Sequence, residues 1–420
     1  PSIERYYTDF SMFFKHISNF LKNRKRVYLD YASSTPVDPK MHRSFSQIPS
    51  RILAANPSAL HQEGVEARRL LSQYRETVAT TLHAHPDEII FTSGATESDN
   101  LALVGSIEAF IATGVPLNQI AVMTSNLEHA AVLEPLTPYI ARGLFLMTLP
   151  TNDGVVDSKM IVVPESCAAM VVSVMYVNNE IGTVQPIKDI AKRIRRLRKD
   201  HPDVSIIFHT DATQAPLYYN LRVDQLGVDL MTLGATKLYT HKGVGMLYKK
   251  RNVKLMPIMR GGGQEFGLRP GTESIEFIYS FAHALEYANT RYEEEAERVR
   301  ELQMYFEELI HEHIPEALVT AETLDRSPHI SHVVIKSIDS ELLVIELDAR
   351  DIAVSAKSAC KNEDSGESAI VETLYGPASA PGFGEVKYGA VRFSFGRKTT
   401  KNQVEKAVKA LKKIVDKYTK

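Results

Sequence analysis

The sequence predicts an α/β protein with a large domain, built on a mainly parallel sheet between helices, and a smaller α+β domain. Over residues 87–248, short apolar runs alternate with helical patterns, which is typical of parallel strands covered on both faces. After residue 291 the chain becomes heavily charged and helical, and no linker or internal repeat divides it. We therefore expect the large domain at 40–290 and the small domain at 1–39 and 291–420.

Hydrophobic patterning predicts the elements one by one. A buried strand at 88–92 leads into a helix that begins at ESDNLALVGSIEAFIA, and further strands are expected at 120–124, 169–176, 204–209 and 229–233, with a helix at 187–199. In the small domain we expect a long amphipathic helix (YEEEAERVRELQMYFEELIHEHI), a strand at 329–335, a helix at 341–347, a strand at 390–394 and a closing helix (KNQVEKAVKALKKIVDKY).

Composition narrows the class of protein. Lys and Arg number 49 against 51 Asp and Glu, so the net charge of −2 does not favour binding to nucleic acid or to a membrane surface. No apolar run reaches the ~18 residues of a membrane span, and the first residues lack the pattern of a signal peptide. The two cysteines, Cys167 and Cys360, are too few for a disulfide scaffold or a zinc site of four thiolates. We expect a cytoplasmic enzyme without a metal site.

Two strand ends carry residues suited to an anion and to a ring nitrogen. The turn TSGATES at 92–98 joins a strand to a helix, so the free N–H groups of the helix offer an anion site. The pattern alone is weak evidence, because any turn from a strand to a helix needs a cap. Asp211 follows the apolar run VSIIFH, where a carboxylate needs a partner. That partner is either a heteroaromatic N–H⁺ or the start of a helix that Asp211 caps.

Three further residues follow predicted strands. Lys237, in GATK beside KGVG, is placed to form a Schiff base with an aldehyde cofactor, unless it is an ordinary solvated lysine. His129 would stack on a flat ring or move protons, unless it is structural. Asn179 would line the same site, unless it only forms a turn.

Two residues of the small domain complete the candidates. Cys360 lies between Lys357 and Lys361 in a Gly- and Pro-containing stretch that predicts a long loop, so it is either a nucleophile with a lowered pKa or a free surface thiol. Arg392 lies inside the apolar run AVRFSF and requires an anionic partner, either a structural carboxylate or that of a substrate.

Taken together, these segments resemble the cysteine desulfurases, fold-type I pyridoxal-phosphate enzymes of the class V aminotransferase group. The resemblance extends from VYLDYASSTP to VRFSFGR and is carried by the blocks FTSGATESDNLA, VNNEIGTVQPI, HTDATQ, GGGQEFGLRPGT and RFSFGR, in that order. It implies a seven-stranded type of sheet in the large domain. The long spacing between Cys360 and Arg392 resembles the long-loop type that feeds iron–sulfur cluster assembly.

The resemblance implies roles around pyridoxal 5′-phosphate. Lys237 would hold the cofactor as a Schiff base, and Asp211 would pair with the pyridine nitrogen. Gln214 would bond the ring hydroxyl, and Asn179 would lie near it and the substrate. His129 would stack on the ring and help to move protons.

The resemblance also implies a phosphate site, and this chain departs from the family pattern at two positions of that site. Ala95 and Thr96 would bind the phosphate, and Thr272 would reach the phosphate in the partner subunit of a homodimer. The family usually has His where this chain has Thr236, and Ser where it has Gly234. Both family residues help to hold the phosphate, and a lost charge-assisted hydrogen bond costs about 1.5–3 kcal/mol. Thr236 would restore part of this through its hydroxyl.

The implied reaction removes sulfur from L-cysteine. Arg392 would bind the substrate carboxylate, and Cys360 would take the sulfur as a persulfide, leaving L-alanine, for delivery to an acceptor protein such as an iron–sulfur scaffold. A third departure is the KNED that follows Cys360, where small hydroxyl residues are expected. Two alternatives remain open: a class V aminotransferase or lyase without sulfur transfer, and a scaffold that has lost catalysis.

Overall fold

A seven-stranded sheet forms the centre of the computed structural model, which describes residues 26–44, 48–356 and 388–419. The strands are β1 (Val27–Tyr28), β2 (Ile89–Thr92), β3 (Ile120–Ser125), β4 (Phe145–Leu149), β5 (Thr151–Asn152), β6 (Val155–Val156), β7 (Ala169–Ser173), β8 (Ser205–Asp211), β9 (Leu230–Gly234), β10 (Gly245–Lys249), β11 (Leu318–Val319), β12 (Ile330–Lys336), β13 (Ile352–Ala353) and β14 (Tyr388–Ser394).

The sheet has the order β2-β10-β9-β8-β7-β3-β4, and β10 runs antiparallel to both of its neighbours. The other adjacent pairs are parallel. Every residue of β2, β3, β7 and β9 is buried, as expected for strands covered on both faces. The predicted mainly parallel, seven-stranded sheet is confirmed.

Helices cover this sheet and build the remainder of the fold. They are α1 (Pro39–Ser44), α2 (Ser50–Leu53), α3 (Gln62–Leu82), α4 (Ala95–Ala112), α5 (Ala130–Leu133), α6 (Thr137–Ile140), α7 (Ile187–Asp200), α8 (Val223–Leu226), α9 (Ile275–Asn289), α10 (Tyr292–His313), α11 (Ser340–Asp348) and α12 (Lys401–Tyr418). None of the helices in the described ranges is both long and apolar enough to cross a membrane.

A second, antiparallel sheet of order β11-β12-β14 packs against α10 and α11, and α12 packs against these two helices. The chain before α1 joins it, because β1 pairs with β13 and Asp30 bridges Ser394 at the end of β14. These contacts bring the first described residues next to the last strand, over a separation of more than 300 residues. The division of the chain into domains at residues 40 and 290 stays a prediction.

Two strand ends differ from the prediction in ways that matter for the site. β7 ends at Ser173, before the predicted residue 176, and its continuation is a loop. β8 continues through Asp211, so this carboxylate belongs to the strand instead of following it. The helices α3 and α9 and the antiparallel strand β10 have no counterpart among the predicted elements.

Candidate active site

A cavity of about 350 Å³ opens at the carboxyl edge of the central sheet. Ligands gather at this edge in open α/β sheets because the loops after neighbouring parallel strands meet there. The lining residues come from the turns after β2, β3, β7, β8 and β9, from residues 32–33 and from β14. The site therefore combines both sheets. The predicted residues on its lining are Ala95, Thr96, His129, Asn179, Asp211, Gln214, Thr236, Lys237 and Arg392.

The first turn of α4 faces this cavity. Gly94 is the residue before the helix, it makes no side-chain cap, and a Cβ placed on it would contact nothing within 4 Å. The first N–H groups of any helix lack intrahelical partners. Glu97 is occupied elsewhere, because it accepts from Ser93 N at 2.7 Å and pairs with Arg269 at 2.9 Å. The start of α4 at Ala95 and Thr96 therefore lies on the cavity lining, where the sequence predicted a cradle for an anion.

Asp211 reaches the cavity from the end of β8, where its Oδ1 accepts from Thr213 N at 2.9 Å. Two buried ionisable groups, Asp99 and His209, lie near it. Burial, reinforced by the charge of Asp211, raises the pKa of Asp99 well above its usual range. Burial lowers the pKa of His209 to about 3. Burial thus disfavours the charged form of both neighbours of Asp211.

Lys237 closes the turn Ala235–Lys237 directly after β9, and its Nζ donates to the backbone carbonyl of Ser33. The neighbouring Thr236 carbonyl accepts from Thr35 N at 2.9 Å. These bonds tie the lysine turn to residues 33–35. The amine is half-buried on the wall of the cavity, which is the placement that a Schiff-base lysine needs.

His129 caps the short helix α5, and its Nδ1 accepts from Ala131 N at 3.1 Å. Because Nδ1 accepts, Nε2 is the nitrogen that carries the proton in the neutral ring. The preceding Glu128 is buried and accepts from Met175 N at 3.0 Å, which joins the turn after β3 to the loop after β7. Burial raises the pKa of Glu128 to about 8.

Arg392 is 2% exposed and inserts its guanidinium into the cavity wall from β14. Its Nη2 donates to Asp30 Oδ1 at 2.9 Å and to Ser33 Oγ at 2.6 Å, and its Nη1 donates to the Asn179 carbonyl at 2.6 Å. Among the described residues, Nε has no hydrogen-bond partner. The sequence left two alternatives for the anionic partner of Arg392, a structural carboxylate or that of a substrate. Asp30 is the structural carboxylate, and the Nε–H remains available to a ligand.

The structure does not bring every predicted residue to the cavity. Thr272 is exposed on the segment between β10 and α9, away from this lining. Cys360 lies outside the described residues. Gly234 packs on the start of α4, because a Cβ there would lie 3.0 Å from Ala95 Cβ. The glycine at this position therefore allows β9 to approach the anion cradle closely.

The cavity fits pyridoxal phosphate on observations of its own. Thr213 Oγ1 and the Arg392 Nε are buried polar atoms on the lining without a partner in the described part of the chain. Buried polar groups are normally satisfied, so such atoms indicate that a polar ligand completes them. The helix cradle, the Asp211 carboxylate and the Lys237 amine match the phosphate, the ring nitrogen and the aldehyde of that cofactor.

Four contributors to the site were missed from the sequence. Asp30 and Ser33 hold Arg392, Asp99 lies behind Asp211, and His329 bonds Gln214 at 3.1 Å. The block VYLDYASSTP contained a signal for Asp30, since a carboxylate in an apolar run requires a cation. Nothing in the sequence indicates that His329 would meet Gln214.

Comparisons with known proteins show which proteins this chain resembles. Residues 27–407 match the family model of class V aminotransferases. Cysteine desulfurases named IscS from Dictyoglomus turgidum and Pseudomonas fluorescens are 33% and 34% identical, over 94% and 93% of this chain and 95% and 93% of their own lengths. A solved NifS-like protein superposes with a TM-score of 0.81 at 28% identity, covering 93% of this chain and 99% of its own. A structure described as SspA in complex with cysteine gives 0.72 at 29% identity, with coverage of 88% and 98%.

Proposed function

This chain belongs to the class V aminotransferase family and is a cysteine desulfurase that uses pyridoxal phosphate, and from that premise we propose how its residues divide the work. L-cysteine is converted to L-alanine, and its sulfur passes to the Cys360 thiol as a persulfide. An acceptor protein, such as an iron–sulfur scaffold, then receives the sulfur. The observation that supports this proposal best is the convergence of Lys237, Asp211, His129 and Arg392 on one cavity.

When bound, pyridoxal phosphate supplies an electron sink next to the substrate Cα. Asp211 keeps the ring nitrogen protonated, the start of α4 at Ala95 and Thr96 binds the phosphate, and Lys237 is the point of attachment. Gln214, Thr236 and Asn179 line the remainder of the site. Thr236 contributes its hydroxyl in the place where the family has a histidine.

His129 holds its proton at Nε2, because Nδ1 is occupied by the backbone of α5. We propose that the imidazole stacks on the ring and exchanges protons with the substrate through Nε2. The cap also fixes the orientation of the imidazole ring.

The experiment that tests this function uses the purified protein loaded with pyridoxal phosphate. After addition of L-cysteine, we expect alanine to form, with sulfide released in equal amount when a thiol reductant is present. Formation of pyruvate in place of alanine would contradict the proposal and favour a lyase. A protein that binds no cofactor and forms neither product would favour the scaffold alternative.

Arg392 provides a separate prediction about substrate binding. Arg392→Lys removes the planar fork that can hold a carboxylate while keeping the charge. We expect the KM for L-cysteine to rise about 10- to 100-fold, because a charge-assisted hydrogen bond is lost. The Kd for pyridoxal phosphate should change by less than about threefold, since no contact to the phosphate is altered.

Arg397→Lys is the matched control for this substitution. Arg397 lies just beyond β14, pairs with Asp38 at 2.9 Å and stacks on Tyr239 at 4.3 Å, and it is not on the cavity lining. Its conversion to lysine should leave the KM for L-cysteine unchanged. An equal rise of KM in both variants would show that the effect is not specific to the carboxylate site.

We also propose that the enzyme is a homodimer. Thr272 is exposed, and the preceding segment carries the exposed apolar side chains Met256, Met259 and Phe266, with exposed fractions of 41%, 51% and 59%. Neighbouring apolar side chains of this size favour burial against a partner. In such a dimer Thr272 would reach the phosphate of the partner's cofactor. Sedimentation velocity of the purified protein tests the dimer directly.

A further inference from the structure

His329 lies behind the cavity, just before β12, and is 3% exposed. Its ring stacks on Tyr218 with centroids 4.4 Å apart and an angle of 15° between the planes. Its backbone carbonyl accepts from Phe395 N at 2.8 Å. Stacking on Tyr218 therefore fixes the plane of the ring, and the bond to Phe395 fixes the backbone of the residue.

The hydrogen bonds of this imidazole have only one consistent direction. The Gln214 Nε2 donates to the Ala32 carbonyl at 2.9 Å, and a carbonyl can only accept, so the carboxamide nitrogen must face Ala32. The carboxamide oxygen then faces His329 Nε2 at 3.1 Å. His329 Nε2 must therefore carry a hydrogen, and Nδ1 accepts from Ser327 Oγ at 2.7 Å.

The protonation state of His329 agrees with this assignment. Burial, together with nearby cations, lowers the pKa of the imidazole to about 3. The ring is neutral at physiological pH and carries a single N–H, which the bond to Gln214 uses. If the hydrogen were on Nδ1 instead, the bare Nε2 would face the Gln214 carboxamide oxygen, and two acceptors would oppose each other.

We propose that His329 is a positioning residue that fixes the Gln214 carboxamide, so that its second N–H donates to the ring oxygen of the cofactor. Gln214 lines the cavity together with Lys237 and Asp211, whereas His329 itself is not on the lining. The inference rests on the proposed function, since the ring oxygen belongs to pyridoxal phosphate. Without His329, the Ala32 carbonyl alone orients the carboxamide, and its second N–H is directed less firmly at the ring oxygen.

The test compares His329→Phe with Gln214→Leu and with the double variant. Phe keeps the aromatic stack on Tyr218 but removes the N–H. We expect each single substitution to shift the absorbance maximum of the bound cofactor and to speed its dissociation about tenfold. If His329 acts through Gln214, the double variant should dissociate no faster than Gln214→Leu alone.

A conservative variant separates positioning from general loss of structure. His329→Gln again offers an N–H donor. Compared with His329→Phe, it should restore the wild-type absorbance maximum and slow the dissociation of the cofactor. This recovery is expected even if the melting temperature of the cofactor-free variant differs from that of the wild type. Additive effects in the double variant, or no recovery with His329→Gln, would overturn this inference while the function stands. A wild-type protein that holds no pyridoxal phosphate would overturn both.

Discussion

Lys237→Ala is expected to lower alanine formation from L-cysteine by about a thousandfold or more, because the amine is the proposed point of attachment of the cofactor. The absorbance band at about 400 nm, typical of a lysine-bound cofactor, should disappear. In the structure, Lys237 lies on the cavity wall with its Nζ held by the Ser33 carbonyl. Absorbance spectra before and after dialysis, together with an alanine assay, make the measurement.

Lys242→Ala is the control for this substitution. Lys242 lies a few residues further along the same segment and is exposed to solvent, so its loss should change neither the spectrum nor the rate. If Lys237→Ala retained a band that resists dialysis and turned over cysteine at a rate near that of the wild type, the attachment point would lie elsewhere.

Cys360→Ala is expected to abolish transfer of sulfur to protein while binding of the cofactor persists. In the proposed mechanism, the Cys360 thiolate is the nucleophile that takes the sulfur. Alanine formation should fall about a hundredfold or more, because the sulfur has no acceptor on the enzyme. The measurement follows sulfur from radiolabelled L-cysteine onto the protein after non-reducing electrophoresis.

Cys167→Ser provides a control within the same chain, which has two cysteines. The Cys167 Sγ donates to the Ala169 carbonyl at 3.1 Å, and burial raises the pKa of its thiol, so it is a poor nucleophile. This variant should keep both the label and the rate. Label retained by Cys360→Ala, with alanine formed at the wild-type rate, would favour an aminotransferase or lyase without a persulfide.

Sequence reasoning placed much of the lining because strand ends are predictable. Asp211, Lys237 and His129 each lie at or just after an apolar run, and parallel strands bring such positions to one edge of a sheet. Arg392 was recognised from the free-energy cost of burying a charge, since a guanidinium inside AVRFSF requires an anion. These inferences depend only on local pattern and on the geometry that all parallel sheets share.

The partners of those residues could not be predicted in the same way. Asp30 meets Arg392, and Ser33 meets both Arg392 and Lys237, over sequence separations of more than 200 residues. Each pair joins residues that lie far apart in the chain, and many other pairings would satisfy the same charges. The antiparallel β10 was missed for a related reason, because its direction is set by its neighbours β2 and β9.

The sequence by itself determined the fold class, the alternation of strands and helices, and the residues able to do the chemistry. These properties follow from hydrophobic periodicity and from the cost of burying charge, both of which act over a few residues. Only the tertiary structure decided which groups face one another: the carboxylate that neutralises Arg392, the carbonyl that receives Lys237 and the imidazole that orients Gln214. Such contacts depend on the packing of distant segments at distances of about 3 Å, which no local pattern specifies.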